Sequence, residues 1–318
     1  MLFNFASLKI IAVICAVCSV ALCAALLKIF GKFLPKDHGR EFAVNGALSA
    51  GKIRGAGLIF VSSFIVSCLL FVPVSLEYIF YYILLFAGML SGYLDDRSDK
   101  PWNEYKKGAI DLGIAALTSL VFVYYNKNML SLGFFGRELV LPPWLFFIIA
   151  LAVVWLLINA VNITDGIDGF CTVLTSIPLV TAAFIIMKSG TDKKAVAIVA
   201  VMIFTLLPYL WFNCEPSSML MGDAGSRALG LLLSIAVFKT GNVLLLFPMC
   251  AVTLVDGLIS VVKVSLIRFL HVNPLKNIRT PLHDHSRKNK GRSNTQVIFR
   301  YSIIQLAGCL ITLAVLFL

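Results

Sequence analysis

The sequence contains little charge and no long polar segment. Only 14% of its 318 residues are Asp, Glu, Lys or Arg, whereas 59% are hydrophobic. A soluble globular domain does not need that much apolar surface, and the polar stretches leave no room for a separate soluble domain of about 100 residues. The balance instead predicts a helical membrane protein, because backbone polar groups inside lipid must pair within each helix.

Signals for disulfides, zinc and nucleic acid are weak. Most of the eight cysteines lie inside apolar runs, so we expect packing residues rather than a disulfide framework or a zinc site. The net charge of +11 is not gathered on a soluble basic surface, which argues against a nucleic-acid partner. The first apolar run, about residues 10–30, is too long for a typical secretory signal and predicts a transmembrane helix.

We predict an all-α, polytopic integral membrane protein with about ten transmembrane helices in one membrane-embedded domain, residues 1–318. The spans are expected at about 10–30, 56–73, 78–94, 108–125, 143–161, 169–187, 194–212, 227–238, 241–266 and 297–318. The ninth is long and carries Asp256 and Lys263, so it is expected either to break or to continue beyond the membrane. Most Lys and Arg residues follow odd-numbered spans, which places those loops in the cytoplasm and both termini outside.

Most acidic residues fall on the same side, although topology alone does not require them there. Asp95 and Asp96 end the third span in G-Y-L-D-D-R. Adjacent helical residues point about 100° apart, so the two carboxylates are expected to have different roles. The simpler alternative is a helix end followed by a solvated loop. Two further motifs at the same boundary favour chemistry over that alternative, because carboxylates beside hydrocarbon are costly.

The second and third motifs combine carboxylates with glycine. Asn162, Asp165 and Asp168 are spaced three residues apart in N-I-T-D-G-I-D-G, either to line a ligand or to form the N-terminal turn of the sixth span. Asp223 lies between glycines in M-G-D-A-G-S, and Asn213 ends the seventh span ten residues earlier. The glycines leave room for a bulky anionic ligand, although a glycine-rich hairpin is the simpler explanation.

Cationic residues complete the pattern. His283 and His285 share one face if their segment is extended, so both imidazoles could meet one phosphate. Lys52, Lys107 and Arg287 are candidate phosphate contacts, although positive-inside charge alone also explains such residues. Asp111 and Asp256 lie within spans and are expected to make helix-to-helix contacts or to pair with Lys107 and Lys263.

These motifs resemble the polyprenyl-phosphate N-acetylhexosamine-1-phosphate transferase superfamily over nearly the whole chain. N-A-V-N-I-T-D-G-I-D-G at 159–169 is similar to the family's N-A-V-N-L-T-D-G-L-D-G, and M-G-D-A-G-S-R-A-L-G at 221–230 is similar to M-G-D-V-G-S-L-A-L-G. Thr164 favours the branch that transfers phospho-N-acetylmuramoyl-pentapeptide. The chain departs from the family at His283-Asp284-His285, where the family has three histidines, and at Leu220, where an aromatic residue is frequent. K-I-R-G-A-G replaces the family's T-P-T-x-G-G.

The resemblance implies roles for the candidate residues. Asp223 becomes a Mg²⁺ ligand, and Asp95 or Asp96 binds or deprotonates a lipid phosphate. His283 and His285 hold the diphosphate or the sugar. The nucleotide and metal site is lined by Asn162, Asp165, Asp168 and Asn213. The family also implies ten helices, external termini and a homodimer.

The expected reaction moves phospho-MurNAc-pentapeptide from its UDP carrier to undecaprenyl phosphate, giving lipid I and UMP for peptidoglycan synthesis. It takes place at the cytoplasmic face of the bacterial cytoplasmic membrane. A phosphate nucleophile is already ionised near pH 7, so Asp95 and Asp96 are expected to position it or to bind metal, with a covalent aspartyl route as the alternative. One alternative function is transfer of GlcNAc-1-phosphate from UDP-GlcNAc, for teichoic acid or other cell-surface glycans. Another is a secondary transporter, which the gathering of polar motifs at one boundary disfavours.

Overall fold

The computed structural model describes residues 8–37, 39, 49–98, 100–132, 137–273 and 275–317, which form an all-α fold. The helices are α1 Leu8–Phe30, α2 Gly57–Phe71, α3 Leu76–Asp96, α4 Glu104–Tyr125, α5 Pro143–Thr164, α6 Phe170–Ser189, α7 Lys193–Asn213, α8 Gly222–Lys239, α9 Leu246–Met249, α10 Ala251–Leu270, α11 Leu282–Lys288 and α12 Asn294–Phe317. Four short strands accompany them: β1 Ile53–Arg54, β2 Met129–Leu132, β3 Arg137–Val140 and β4 Met219–Leu220. Strands β2 and β3, which the sequence analysis did not predict, pair antiparallel between α4 and α5.

The predicted polytopic membrane fold is confirmed. Within the described residues, seven helices are long and apolar enough to cross a membrane, or eight if the bent pair around residue 250 is one span. Helix α2 is outside this group because it has 15 residues. Helix α8 carries Asp223, Arg227 and Lys239, and it begins at Gly222 rather than near the predicted residue 227.

The ninth predicted span breaks. The segment Val243–Met249 meets α10 at an angle of 89°. A break within lipid leaves backbone groups without partners inside the helix. The side chain of Gln305 on α12 forms hydrogen bonds with two of these groups. Its Oε1 accepts a hydrogen bond from the Val252 backbone N–H at 3.0 Å, and its Nε2 donates to the Met249 carbonyl. The break redirects α10 and, with it, Asp256.

Helix α8 is the centre of the bundle. Every one of its residues is buried. Gly92 of α3 lies directly against the Asp223 backbone, where a Cβ atom would overlap it, so glycine permits this close helix contact. The outward faces of the surrounding helices expose large apolar side chains such as Ile83, Leu117 and Ile304. This arrangement fits a polar, tightly packed interior surrounded by lipid.

Two ties fix the ends of α8. At its start, β1 and β4 pair in parallel, so the segment carrying Lys52 and Arg54 lies beside the segment that enters α8. At its end, Lys239 Nζ lies 2.7 Å from Glu77 and 3.0 Å from Asp192, which accepts a hydrogen bond from Tyr78 at 2.6 Å. Burial alone would raise the pKa of Asp192, but the hydrogen bonds from Tyr78 and Lys239 outweigh burial and lower it.

All eight cysteines are free thiols, as expected, and six of them are buried.

Candidate active site

A cavity of about 660 Å³ lies at the end of the bundle where α5 and α7 end and α8 begins. Its polar lining includes Lys52, Arg54, Asn162, Asp165, Asp168, Asn213, His283, Asp284 and Arg287. The loop before α2, the α5–α6 connection, the end of α7 and α11 therefore converge on one space. Seven of the twelve candidate residues line it, and Asp95, Asp96, Lys107, Asp223 and His285 lie outside its wall as the described residues define it.

Asp95 and Asp96 end α3 and point to different partners, as their neighbouring helical positions predict. Asp95 accepts a hydrogen bond from the Trp102 backbone N–H at 2.8 Å and pairs with Lys107. Asp96 accepts from the backbone N–H groups of Asp223 and Ala224, each at 3.2 Å. Asp96 therefore caps the N-terminus of α8, where the helix dipole favours an anion.

Arg54 joins Asp96 to the cavity. Its Nε is 2.9 Å from Asp96 Oδ1, and its Nη1 is 3.0 Å from Asp37 Oδ1. Burial disfavours the charged guanidinium, but the nearby carboxylates of Asp96, Asp223 and Asp37 outweigh burial and raise the Arg54 pKa. Arg54 thus remains a fixed cation in the cavity wall.

Asp223 lies in the first turn of α8, not in a glycine-rich hairpin. Its Oδ2 is 3.3 Å from Lys107 Nζ and 3.0 Å from Arg227 Nη2. Its side chain is 12% exposed, so the carboxylate is largely buried yet keeps an edge towards solvent. Gly222, immediately before it, lines the cavity. Asp223 therefore lies beside the cavity, with two cations on one of its oxygens.

The N-I-T-D-G-I-D-G motif spans the end of α5 and the turn before α6. Asn162 lies in the last turn of α5 and donates to the Ser226 hydroxyl at 3.0 Å. Asp165 is the C-cap residue of α5 and lines the cavity. Asp168 accepts from Lys52 Nζ at 2.9 Å and from the Ser217 backbone N–H at 3.0 Å. It does not cap α6, whose N-cap residue, Gly169, has no side-chain cap.

Asn213 both lines the cavity and fixes its wall. Its Oδ1 accepts from the Gly169 backbone N–H at 3.0 Å, and its Nδ2 donates to the Met219 carbonyl at 2.9 Å. With both ends of its amide holding backbone groups, Asn213 ties the α5–α6 turn to β4. Its direct role is therefore in the architecture of the cavity.

The two histidines do not lie in an extended segment, which was the condition for both imidazoles to meet one phosphate. Both lie on α11, and residues two apart on a helix point to nearly opposite sides. His283 is buried and lines the cavity, where its Nδ1 lies 2.7 Å from Asp256 Oδ2. His285 is directed elsewhere, and its Nδ1 accepts from the Arg279 backbone N–H at 3.3 Å. The cavity wall thus receives only one of the two imidazoles.

Arg287 keeps the predicted position at the cavity. It follows His283 by four residues on α11, so the two share a face. Its Nη1 donates to Asp284 Oδ1 at 3.4 Å. Asp284, the residue that departs from the family's three histidines, therefore lies next to a cationic cavity residue.

The two carboxylates within spans make contacts between helices and do not pair with Lys107 and Lys263. Asp111 pairs with Arg227 at 3.1 Å rather than with Lys107. Asp256 holds the backbone N–H and the ring of His283, whereas Lys263 donates to the Ile278 carbonyl. The alternative of helix-to-helix polar contacts is confirmed for both carboxylates, because Asp111 joins α4 to α8 and Asp256 joins α10 to α11. Charged residues inside apolar runs gave the signal, but sequence spacing did not show which distant residue each one meets.

The carboxylates fit a magnesium ion that takes some of its ligands from the protein and others from a substrate. In the described part of the chain, no three His, Cys, Asp or Glu side chains form a ready-made metal site. Mg²⁺ commonly uses one or two protein carboxylates and completes its shell with water and substrate phosphates. The hard oxygen donors of Asp223, Asp165 and Asp168 at or beside one cavity suit that mode.

Fold and cavity together define a multi-pass α-helical membrane protein with a charged site at one end of its bundle. This class is the one expected from the resemblance of the motifs to the polyprenyl-phosphate N-acetylhexosamine-1-phosphate transferase superfamily. The chain belongs to glycosyl transferase family 4, whose family model matches residues 78–241.

Similar proteins support this membership over most of the chain. It is 37% identical over 292 residues to the phospho-N-acetylmuramoyl-pentapeptide-transferase of Treponema pallidum (strain Nichols), covering 86% of this chain and 80% of that relative. The protein of the same name in Bartonella quintana (strain Toulouse) is 28% identical over 290 residues, covering 84% and 80%.

Proposed function

We propose that the protein transfers phospho-MurNAc-pentapeptide from a UDP-linked donor to undecaprenyl phosphate, releasing UMP and forming lipid I. The observation that carries the proposal is the convergence of cations and carboxylates from separate segments on one cavity in a membrane protein. The choice of the sugar–peptide group rests on the relatives, both of which are named as phospho-N-acetylmuramoyl-pentapeptide-transferases. The polyprenyl carrier comes from the resemblance of the motifs, and a membrane-embedded bundle suits such a lipid substrate.

The cavity residues have different roles according to their charge. Lys52, Arg54 and Arg287 attract the donor diphosphate, because guanidinium and ammonium groups form charge-assisted hydrogen bonds to phosphate oxygens. Asp95 and His283 contact the reacting groups or orient the residues that do. The attacking lipid phosphate is already an anion, so no strong base is needed, and positioning carries most of the catalysis.

Magnesium is part of the proposal. Asp223 would hold it, and Asp165, Asp168 and Asn162 would line the surrounding nucleotide site. When bound, Mg²⁺ neutralises charge on the diphosphate oxygens and on the departing UMP. Arg54 orients the Asp96 carboxylate and Lys107 contacts the Asp223 carboxylate.

The cavity end of the bundle faces the cytoplasm of a bacterial cell in this proposal. The positive-inside pattern supports the orientation, because cationic residues accumulate in the loops at that end. The single domain over residues 1–318, the external termini and the homodimer are also predictions. Cross-linking in native membranes tests the homodimer, and accessibility of added terminal tags tests the orientation.

The decisive experiment measures UMP release by purified protein with UDP-MurNAc-pentapeptide or UDP-GlcNAc, each with and without undecaprenyl phosphate. We expect release only with the first donor and only when the lipid phosphate is present. Release with UDP-GlcNAc but not with UDP-MurNAc-pentapeptide would favour the GlcNAc-1-phosphate transferase alternative. Asp223→Asn should abolish Mg²⁺-dependent release while the protein remains folded, and retained turnover would remove Asp223 from the site.

A further inference from the structure

Arg227 is a buried cation that contacts carboxylates from three helices. Its side chain is 2% exposed, and its Nη2 lies 3.0 Å from Asp223 Oδ2, one helical turn earlier on α8. Its Nη1 lies 3.1 Å from Asp111 Oδ1 on α4. Asp95 Oδ2 on α3 is 3.8 Å from the same Nη2. Arg227 has no role in the proposed function.

Lys107 contacts two of these carboxylates, Asp95 and Asp223, but is placed differently. Its side chain is 27% exposed on a flexible stem, so it can withdraw when a ligand arrives. Arg227 cannot withdraw, because its other terminal nitrogen is held by buried Asp111. Arg227 is therefore a permanent part of the charge around Asp223, whereas Lys107 is a replaceable one.

The stability of the fold does not by itself account for this arrangement. Buried ion pairs often contribute less than apolar residues of similar size, because each charge loses its water. Among the described residues, the buried Nε of Arg227 has no hydrogen-bond partner, which adds to that cost. A guanidinium retained under these conditions fits a role in setting the local charge.

The charges in contact give the direction of that role. Asp95, Asp111 and Asp223 face Arg227 and Lys107, so the cluster has a formal charge of −1. Without Arg227 the formal charge becomes −2, and removal of the Asp111 charge as well returns it to −1. A divalent cation binds a more negative cluster more tightly.

We propose that Arg227 is a fixed counter-cation that sets the affinity of the Asp223 carboxylate for a divalent metal ion. The proposal rests on the metal-binding role of Asp223 in the proposed function. Arg227 is a positioning and charge-setting residue here, because it acts on Asp223 and touches no substrate. Its effect is to weaken metal binding, so that the metal is held firmly only together with the substrate phosphates.

The test titrates the full-length protein in lipid nanodiscs with Mn²⁺ alone. Two measurements report binding: the electron paramagnetic resonance signal of free Mn²⁺ and the Mn²⁺-dependent rise in unfolding temperature. Arg227→Met should lower the Mn²⁺ midpoint on the order of tenfold, the size expected for one nearby charge at a partly screened site. Asp111→Asn should raise the midpoint. The double variant should return towards the wild-type midpoint, because its formal charge is restored, and Arg227→Lys should stay close to it.

Lys239→Met is the matched control. Lys239 is also a buried cation on α8 held by two carboxylates, but it lies at the opposite end of the helix. Its removal should lower the unfolding temperature and leave the Mn²⁺ midpoint unchanged. If Arg227→Met behaves in the same way, Arg227 is structural and the proposal is overturned.

Two other outcomes distinguish a failure of the charge-setting role from a failure of the proposed metal role of Asp223. A raised midpoint in Arg227→Met that the second substitution does not restore would mean that Arg227 orients Asp223 by contact, which also overturns the charge-setting role. A wild-type protein with no midpoint, or one whose midpoint survives Asp223→Asn, would instead contradict the proposed metal role of Asp223 and the inference built on it.

Discussion

Asp256 holds α11 against the cavity through two hydrogen bonds, and its removal tests how His283 is placed. Its Oδ1 accepts from the His283 backbone N–H at 2.9 Å, and its Oδ2 lies 2.7 Å from His283 Nδ1. Both side chains are almost completely buried. Asp256→Ala removes both contacts at once and leaves the backbone N–H and the imidazole of His283 without partners.

The expected magnitude follows from these contacts. A hydrogen bond to a charged group contributes about 1.5–3 kcal/mol, and a buried group left without a partner costs a similar amount. The two contacts together therefore correspond to about 3–6 kcal/mol of docking free energy for α11. That loss raises the population of undocked α11 by about 100- to 20,000-fold, since each 1.4 kcal/mol is a factor of ten.

Hydrogen exchange measures this population directly. Backbone amides of 282–288 should exchange faster in Asp256→Ala by up to the same factor, while amides of α8 stay protected. UMP release should fall as well, because His283 leaves the cavity wall. Glu104→Ala is the control: Glu104 pairs with Arg268 at 2.9 Å but is 73% exposed, and exposed pairs contribute little. Unchanged exchange in α11 of Asp256→Ala would refute the assignment of Asp256 as its anchor.

Two further predictions concern the cavity and the opposite end of the bundle. Gly166→Ala places a methyl group on the His283 ring and should lower turnover about 100-fold; Gly113→Ala, which meets no atom within 4 Å, should leave turnover unchanged. Equal turnover in the two variants would contradict the Gly166–His283 contact. Because the folded pKa of Asp192 is lowered, its stabilisation is present above the unfolded pKa of about 3.9 and is lost as the pH falls through the folded pKa. The difference in unfolding temperature between wild type and Asp192→Asn should therefore be constant near neutral pH and shrink below about pH 4; a difference that grows in acid would contradict it.

Local sequence patterns predicted much of the architecture. Apolar runs of sufficient length must become helices in lipid, so the polytopic helical fold was predictable from composition, and the break in the ninth span was one of the two outcomes that its length and charges predicted. The different directions of Asp95 and Asp96 followed from the geometry of a single helix. The motif letters at 159–169 and 221–230 were sufficient for the family. The strands β2 and β3 carried no comparable signal.

The sequence by itself determined that this is a helical membrane protein whose polar motifs share one boundary, because hydrophobicity, charge and helical direction are properties of neighbouring residues. Only the tertiary structure decided that Asp111 meets Arg227, that Asp256 holds His283, and that one histidine rather than two faces the cavity. A buried charge must find a partner, but its choice among the cations depends on how helices that are far apart in the chain pack side by side, and no local pattern encodes that distance.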